Sequence, residues 1–431
     1  MIEPLSLPRG AALAAEPAEG ARSFAAGFWF PIGSRHEAPH ERGFVHFVEH
    51  MAFKGTARRS AEDISRAIDR IGGYLNAFTD RDSICLHCIV PAREWRLALD
   101  VLFDMAFRSR FAEEDFTRER EVIVSEILAA MDDPEECSHD ELLASIWPGD
   151  PLSRKIAGEP EDLRAAARED LYRFYRERFR PSLLLVTAAG PVPAAEVAAE
   201  LGRMLEELPV AEAAAAPAEV SPRFTPVRAY AAAPIGQVHY FVATQLEPPF
   251  EERDYYALAA VNGIVGEAAS SRLFLSLRER EALCYSVYSA FSMGRSECLW
   301  LASANVSAKD LPRLAEGMER ELDAVAEEGL GREECADAVS RLAGSLEVAL
   351  DDADFRMRRI GRQVLFKGVA LDPAETVALI RGLRPEDLSA MAGRLLAGAP
   401  RARFAYGRKS AHAAKALGLV ERETGREADR G

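Results

Sequence analysis

Along the first half of the chain the apolar pattern changes period again and again. Residues 22–30 end in the run SFAAGFWF, nearly continuous apolar sequence that predicts a buried strand. Gly43–Phe53 predicts a short, mostly apolar helix. From Ser60 to Ile71 the pattern is amphipathic, with Ser60 and Asp63 placed as a capping box and Gly72-Gly73 closing the helix. Asn76–Val90 supplies strand residues, and Arg93–Ala106 and Glu113–Met131 predict further helices. On the last of these Phe116, Ile123, Ile127 and Met131 form one stripe. Strands joined by hairpins and mixed with helices predict an α+β fold, a mostly antiparallel sheet with helices packed on one face.

The pattern breaks at residues 208–226, LPVAEAAAAPAEVSPRFTP, which have neither helical nor strand periodicity and predict a linker. Its position near mid-chain matches an internal repeat. Glu169-Asp170-Leu171 leads to Gly190 across a helical stretch, Pro181 and the apolar run Leu183–Val186. Glu386-Asp387-Leu388 leads to Gly407 across another helical stretch, Pro400 and Arg403–Tyr406. The interval from Leu171 to Gly190 equals that from Leu388 to Gly407, and the two copies lie half a chain length apart. Two related domains follow, 1–207 and 227–431, joined by 208–226.

Composition narrows the class. The 431 residues carry 53 Lys+Arg and 69 Asp+Glu, a net charge of −16, which argues against nucleic acid as a partner. No apolar stretch reaches the roughly 18–20 residues of a membrane span. The start of the chain has an acid at Glu3, two early prolines and no apolar core, unlike a signal peptide. Six cysteines in a chain of this length predict reduced thiols and a cytoplasmic protein. Cys85 and Cys88 form a lone C-x-x-C around His87, but in a strand, where positions three apart point to opposite faces, so buried thiols are the simpler reading.

The chemistry concentrates in Gly43–Thr56, GFVHFVEHMAFKGT. His46, Glu49 and His50 occupy positions i, i+3 and i+4 of one helix and share a face. Two imidazoles so placed converge on one ion; H-x-x-E-H is the inverted form of the zinc-peptidase motif H-E-x-x-H. The plain alternative is a pair of histidines on a surface helix. Against it, Phe44, Phe47, Val48, Met51 and Phe53 make this helix apolar, and polar groups among them need partners. A third ligand lies elsewhere; FTREREVIVSEI offers Glu119, Glu121 and Glu126, of which Glu119 and Glu126, seven apart, share a face. Residue spacing alone leaves those carboxylates open between ligands and surface charges.

Together these motifs resemble the pitrilysin, or insulinase, family of zinc metallopeptidases, which includes insulin-degrading enzyme and the mitochondrial processing peptidase. The resemblance rests on His46-x-x-Glu49-His50 with Glu126 well downstream, Gly33-Ser34-Arg35-x-Glu37, His50-Met51-Ala52-Phe53-Lys54-Gly55-Thr56 and Gly72-Gly73-x-x-Asn76-Ala77. It begins near the predicted strand that ends at Phe30 and runs onward to the end of the chain. It implies the two-domain fold of the processing peptidase and LuxS-like metallohydrolases. It implies a Zn²⁺ ion on His46, His50 and Glu126, Glu49 as general base, and Glu119 orienting a ligand histidine. Asn76, Ala77 and Phe78 resemble the edge strand on which an extended peptide pairs.

The second half lacks the metal set: at the repeat offset His46 falls on Gly263 and His50 on Glu267. It does carry Arg278 and Tyr285, matching the family's Arg–Tyr pair, seven apart, that contacts substrate and the reacting carbonyl. In the family's two-domain members two chains close as a clamshell, which implies a homodimer here, or a heterodimer with a related chain. The expected activity is hydrolysis of peptides or unfolded polypeptide; the alternative is a noncatalytic scaffold or partner protein of the same family, although such members usually lose motif residues that this chain retains. An acidic chamber would then favour basic or neutral peptides.

Overall fold

The computed structural model describes residues 1–210, 214, 217, 220–408 and 410–422. Within the expected linker, 211–213, 215, 216, 218 and 219 lie outside the described residues, as do 409 and the end of the expected second domain, 423–431. The chain forms two compact units, each built from separated stretches: 1–129, 154–218 and 347–376 in one, and 130–153, 219–346 and 377–431 in the other. The expected domains were contiguous, 1–207 and 227–431. All strands do lie on the expected side of 208–226, but a helix-bearing stretch of each half belongs to the other half's unit.

In the first unit β1 (Leu5–Ser6), β2 (Ala12–Pro17), β3 (Ser23–Phe30), β4 (Tyr74–Thr79), β5 (Ile84–Pro91) and β6 (Leu185–Gly190) form one sheet in the order β1-β2-β6-β3-β5-β4. Only β2 and β6 run parallel. Four helices follow the predicted ones closely: α1 (Phe44–Ala52), α2 (Ala61–Asp69), α3 (Trp95–Arg108) and α4 (Glu113–Asp132). The capping box at α2 forms as expected, the Asp63 N–H donating to Ser60 Oγ and the Ser60 N–H to Asp63 Oδ2, both at 3.1 Å.

Strand β3 shows how the sheet is covered. Phe24 and Phe30 face α3, meeting Trp95 and Phe107 at 6.1 and 6.0 Å between ring centroids. Ala25 and Trp29 point to the other face, into a core with Cys85, Met357, Ile360 and Val364. The last three residues belong to the helix Ala353–Lys367, which comes late in the sequence, after most strands of the second sheet, and adds a covering to this face. A buried ion pair pins that helix: Glu16 of β2 accepts from Arg356, and from Arg359 at 2.5 Å. The Arg359 guanidinium also donates to the Leu371 carbonyl at 2.8 Å.

The second unit repeats the plan. Its strands β7 (Arg228–Ala232), β8 (Val238–Leu246), β9 (Val287–Met293), β10 (Cys298–Val306), β11 (Ala402–Gly407) and β12 (Val420–Arg422) lie in the order β12-β7-β11-β8-β10-β9. The run β7-β11-β8-β10-β9 matches β2-β6-β3-β5-β4 of the first sheet strand for strand, with β7 and β11 again parallel. The glycines of the sequence repeat close equivalent strands: Gly190 ends β6 at φ +148° and Gly407 ends β11 at φ +144°. A Cβ on Gly190 would lie 2.9 Å from the Ser23 carbonyl oxygen, and one on Gly407 would lie 2.4 Å from that of Gln237. Helix α5 (Pro134–Ile146) covers this sheet, with Leu142, Ile146 and Trp147 packed among Phe241, Phe404 and Tyr406. The Trp147 indole donates to Gln245 Oε1 at 2.7 Å. Among the described residues no helix is long and apolar enough to cross a membrane.

Candidate metal centre

Helix α1 sets its chemistry on an apolar support. Phe44, Val45, Phe47, Val48, Met51 and Ala52 are buried, which turns His46, Glu49 and His50 together toward the opposite side. The helix start is held by a residue to which no role was given in the sequence. Both carboxylate oxygens of buried Glu37 accept main-chain N–H groups, from Val45 at 2.8 Å and Gly43 at 2.9 Å. Its removal from water pushes the Glu37 carboxyl up to about 8, against the pull of those two bonds.

Helix α4 is laid along α1 by a stacked pair, Phe47 on Phe116, 4.9 Å apart and 12° from parallel. From Phe116, steps of three and four residues give Glu119, Ile123 and Glu126, so both carboxylates fall on the stripe nearest α1. Glu126 Oε1 lies 3.9 Å from His46 Nε2 and its Oε2 3.5 Å from His50 Nε2. One donor atom from each of the three residues falls within 4.8 Å of the others. Donors around a tetrahedral zinc with bonds of about 2.1 Å stand about 3.4 Å apart, so this set fits the ion with small side-chain movements. Glu121 is exposed and sits 3.5 Å from its neighbour Arg120, outside the group.

The surroundings favour metal ligation over free histidine charge. Burial, with a smaller contribution from His50, pushes the His46 imidazole down to about 4, leaving it the lone pair that a ligand needs. On His50 the other ring nitrogen, Nδ1, is 3.2 Å from Glu119 Oε2, and Lys54 Nζ is 2.8 Å from Glu119 Oε1. Glu119 thus contacts the His50 nitrogen turned away from Glu126, and Lys54 contacts Glu119 in turn. Glu49 lies beside the cluster and accepts from Thr79 Oγ1 of β4 at 2.5 Å. Burial raises the Glu49 carboxyl, while the Thr79 bond works against that shift. Lys54 stands in a motif that the sequence displays and Thr79 directly follows Phe78, yet only the packing of α1 on α4 and β4 gives them partners.

A family model described as insulinase (peptidase family M16) matches residues 13–160, the stretch holding this cluster. A second, described as the inactive domain of that peptidase family, matches 165–342. An uncharacterised zinc protease of Streptomyces coelicolor is 34% identical over 402 residues, 92% of this chain and 87% of that protein. The chain belongs to the insulinase family of peptidases. The chain is also similar to the uncharacterised zinc protease YmxG of Bacillus subtilis, 29% identical over 92% of this chain and 96% of that protein. The fold is shared with solved structures. A protein from Pseudomonas fluorescens described as a peptidase M16 inactive domain superposes with a TM-score of 0.86 at 17% identity, over 95% of this chain and 98% of its own. A protease from Helicobacter pylori superposes at 0.86 and 18%, over 94% and 99%.

Of the remaining predicted residues, Asn76, Ala77 and Phe78 lie on β4, the outermost strand of the first sheet, paired on one side only among the described residues. Arg278 and Tyr285 belong to the second unit, where the Arg278 guanidinium stacks 5.2 Å from the Tyr285 ring and 4.6 Å from Phe274. Tyr285 is 83% exposed. Cys85 and Cys88 are buried thiols that point to opposite faces of β5; burial raises both, Cys88 to about 12.

Proposed function

We propose that this chain is a zinc-dependent endopeptidase or oligopeptidase that cleaves extended peptides held along β4. The observation that carries the reading is the convergence of His46, His50 and Glu126 donors within 4.8 Å, with Glu49 beside them. His46, His50 and Glu126 would hold a zinc ion, which would supply a Lewis acid for the attacking water and the peptide carbonyl. Glu49, aimed by Thr79, takes a proton from the attacking water and hands it to the departing amine. Its partial burial strengthens it as a base. Glu119, braced by Lys54, holds His50 in the ligating orientation. The edge of β4, unpaired among the described residues, aligns the substrate at Asn76, Ala77 and Phe78 through main-chain hydrogen bonds.

Arg278 and Tyr285 engage the substrate and the reacting carbonyl from a second copy of the chain, in a clamshell homodimer; a related chain in the same role is the alternative. Their mutual stacking and the exposure of Tyr285 support a pair prepared for contact beyond its own unit. The deciding experiment compares wild type with Glu49→Gln. Metal analysis is expected to give about one zinc per chain for both. Cleavage of a mixed peptide library is expected from wild type and to fall about 10²–10⁴-fold in the variant. Wild-type protein that holds zinc and cleaves nothing, alone or with related chains, refutes the peptidase reading.

A further inference from the structure

On β4 the side chains divide between two faces. Thr79 reaches Glu49 on one; Tyr74, Asn76 and Phe78 share the other with His87 and Cys85 of β5, their register partners being Asn76↔His87 and Phe78↔Cys85. Behind that second face lies the helix Ala353–Lys367. Its Arg358 guanidinium sits 4.7 Å from the Phe78 ring centre. Arg358 Nε donates to Asp354 Oδ2 at 2.7 Å and Nη2 to His87 Nε2 at 3.0 Å. The fully buried His87 has its Nδ1 3.2 Å from Asp354 Oδ1, outside hydrogen-bond geometry. The guanidinium is thus held from behind while its side chain stays 37% exposed, and Nη1 has no polar partner among the described residues. Arg362, one turn on along the same helix stripe, is exposed as well.

The edge itself is ready for a strand. The Asp80 N–H donates to the Ser83 carbonyl at 2.9 Å, and continuing the antiparallel ladder from that pair directs the main-chain groups of Leu75, Ala77 and Thr79 outward. The Ala77 N–H is accepted by its neighbour's carboxamide, Asn76 Oδ1, at 2.9 Å, as an outward N–H would be in the absence of a partner strand. A peptide added at this edge alternates its side chains between the Glu49 face and the Arg358 face.

We propose that Arg358, seated on Phe78, is a specificity-determining residue that selects an acidic side chain close to the scissile bond, on the face of β4 away from Glu49. The inference rests on the peptidase reading for its substrate and adds the substrate's charge at one position. It also runs against the preference for basic or neutral peptides that net charge alone suggests, because a held guanidinium with spare donors acts at contact distance.

The test uses fluorogenic peptides with Asp, Glu, Ala or Lys scanned through the positions around the cleaved bond. Wild type is expected to favour Asp or Glu over Ala at one position about tenfold in kcat/KM, the worth of one charge-assisted hydrogen bond at a half-exposed site. In Arg358→Gln that ratio is expected to fall to near one, Arg358→Glu to favour Lys there, and Arg358→Lys to keep part of the acidic preference. Thermal melts report whether loss of the Asp354 and His87 contacts unfolds a variant; the charge reversal and the lysine variant then carry the comparison. Cleavage without an acidic preference, or a preference that survives Arg358→Gln, overturns the inference and leaves the peptidase reading intact. If no peptide is cleaved, anisotropy of the same labelled peptides decides: Arg358-dependent binding of the acidic ones upholds the subsite without the peptidase, and charge-independent binding or none overturns it.

Discussion

Replacing Glu119 by glutamine removes a charge and little else, and so isolates what this carboxylate does for its neighbours. One oxygen is 3.2 Å from His50 Nδ1 and the other 2.8 Å from Lys54 Nζ. The glutamine can still accept from His50 through its carbonyl oxygen, but a neutral acceptor gives roughly half the strength of a charged one. It also offers Lys54 no counter-charge; since Lys54 is 34% exposed, water replaces most of that interaction. Outer carboxylates that orient ligand histidines are worth about 10–100-fold in metal affinity. Glutamine should sit near the lower end, about tenfold or 1.4 kcal/mol, and alanine nearer the upper, about 2.7 kcal/mol. Zinc affinity is measured by competition with a chromophoric chelator on metal-stripped protein, with thermal melts of the apo forms to exclude unfolding. Lys54→Met should weaken zinc by a smaller factor, and the double variant should lose less than the sum, because both act through the same carboxylate. Equal zinc affinity in wild type and Glu119→Gln would refute the assignment of Glu119 as the residue that orients His50.

In the second unit, Arg278→Ala and Tyr285→Phe should lower peptide turnover while leaving bound zinc unchanged; unimpaired turnover excludes them from the site. Glu16→Gln takes the counter-charge from buried Arg359 and half-buried Arg356 and is expected to cost about 3 kcal/mol, read as a lower denaturant midpoint. A loss below about 1 kcal/mol would mean that the helix Ala353–Lys367 is held by its apolar face alone. Gly190→Ala and Gly407→Ala each force a Cβ against a carbonyl oxygen at positive φ, and each should destabilise by about 1–3 kcal/mol. Tolerance at either position would show that these strand ends relax more readily than their packing indicates.

The convergence of the two histidines was legible in the sequence because its geometry is local. His46, Glu49 and His50 share a helix face by spacing alone, and the apolar remainder of α1 says which side is buried. The strands β3, β5 and β6 and the glycine-ended repeat were legible for the same reason, since period and turn residues act over a few neighbours. What distant partners decide was not. The amphipathic pattern of Ala353–Lys367 marks a buried face but not the sheet it covers, so contiguous domains were the natural expectation. Glu16 meets Arg359 across most of the chain's length, and no local rule links them.

By itself the sequence determined the α+β class, the doubled plan, and three donors of a peptidase type, two of which converge through helical spacing. Residue spacing left the carboxylates of α4 open and the family resemblance named two of them; the tertiary structure supplies the physical reason, since the stacking of Phe47 on Phe116 brings Glu126 to the histidines and Glu119 to His50 Nδ1. It also brought Thr79 to Glu49 and set Arg358 against Phe78 of the open edge. Periodicity specifies which way a side chain points along its own element; only the packing of one element on another specifies what it meets there.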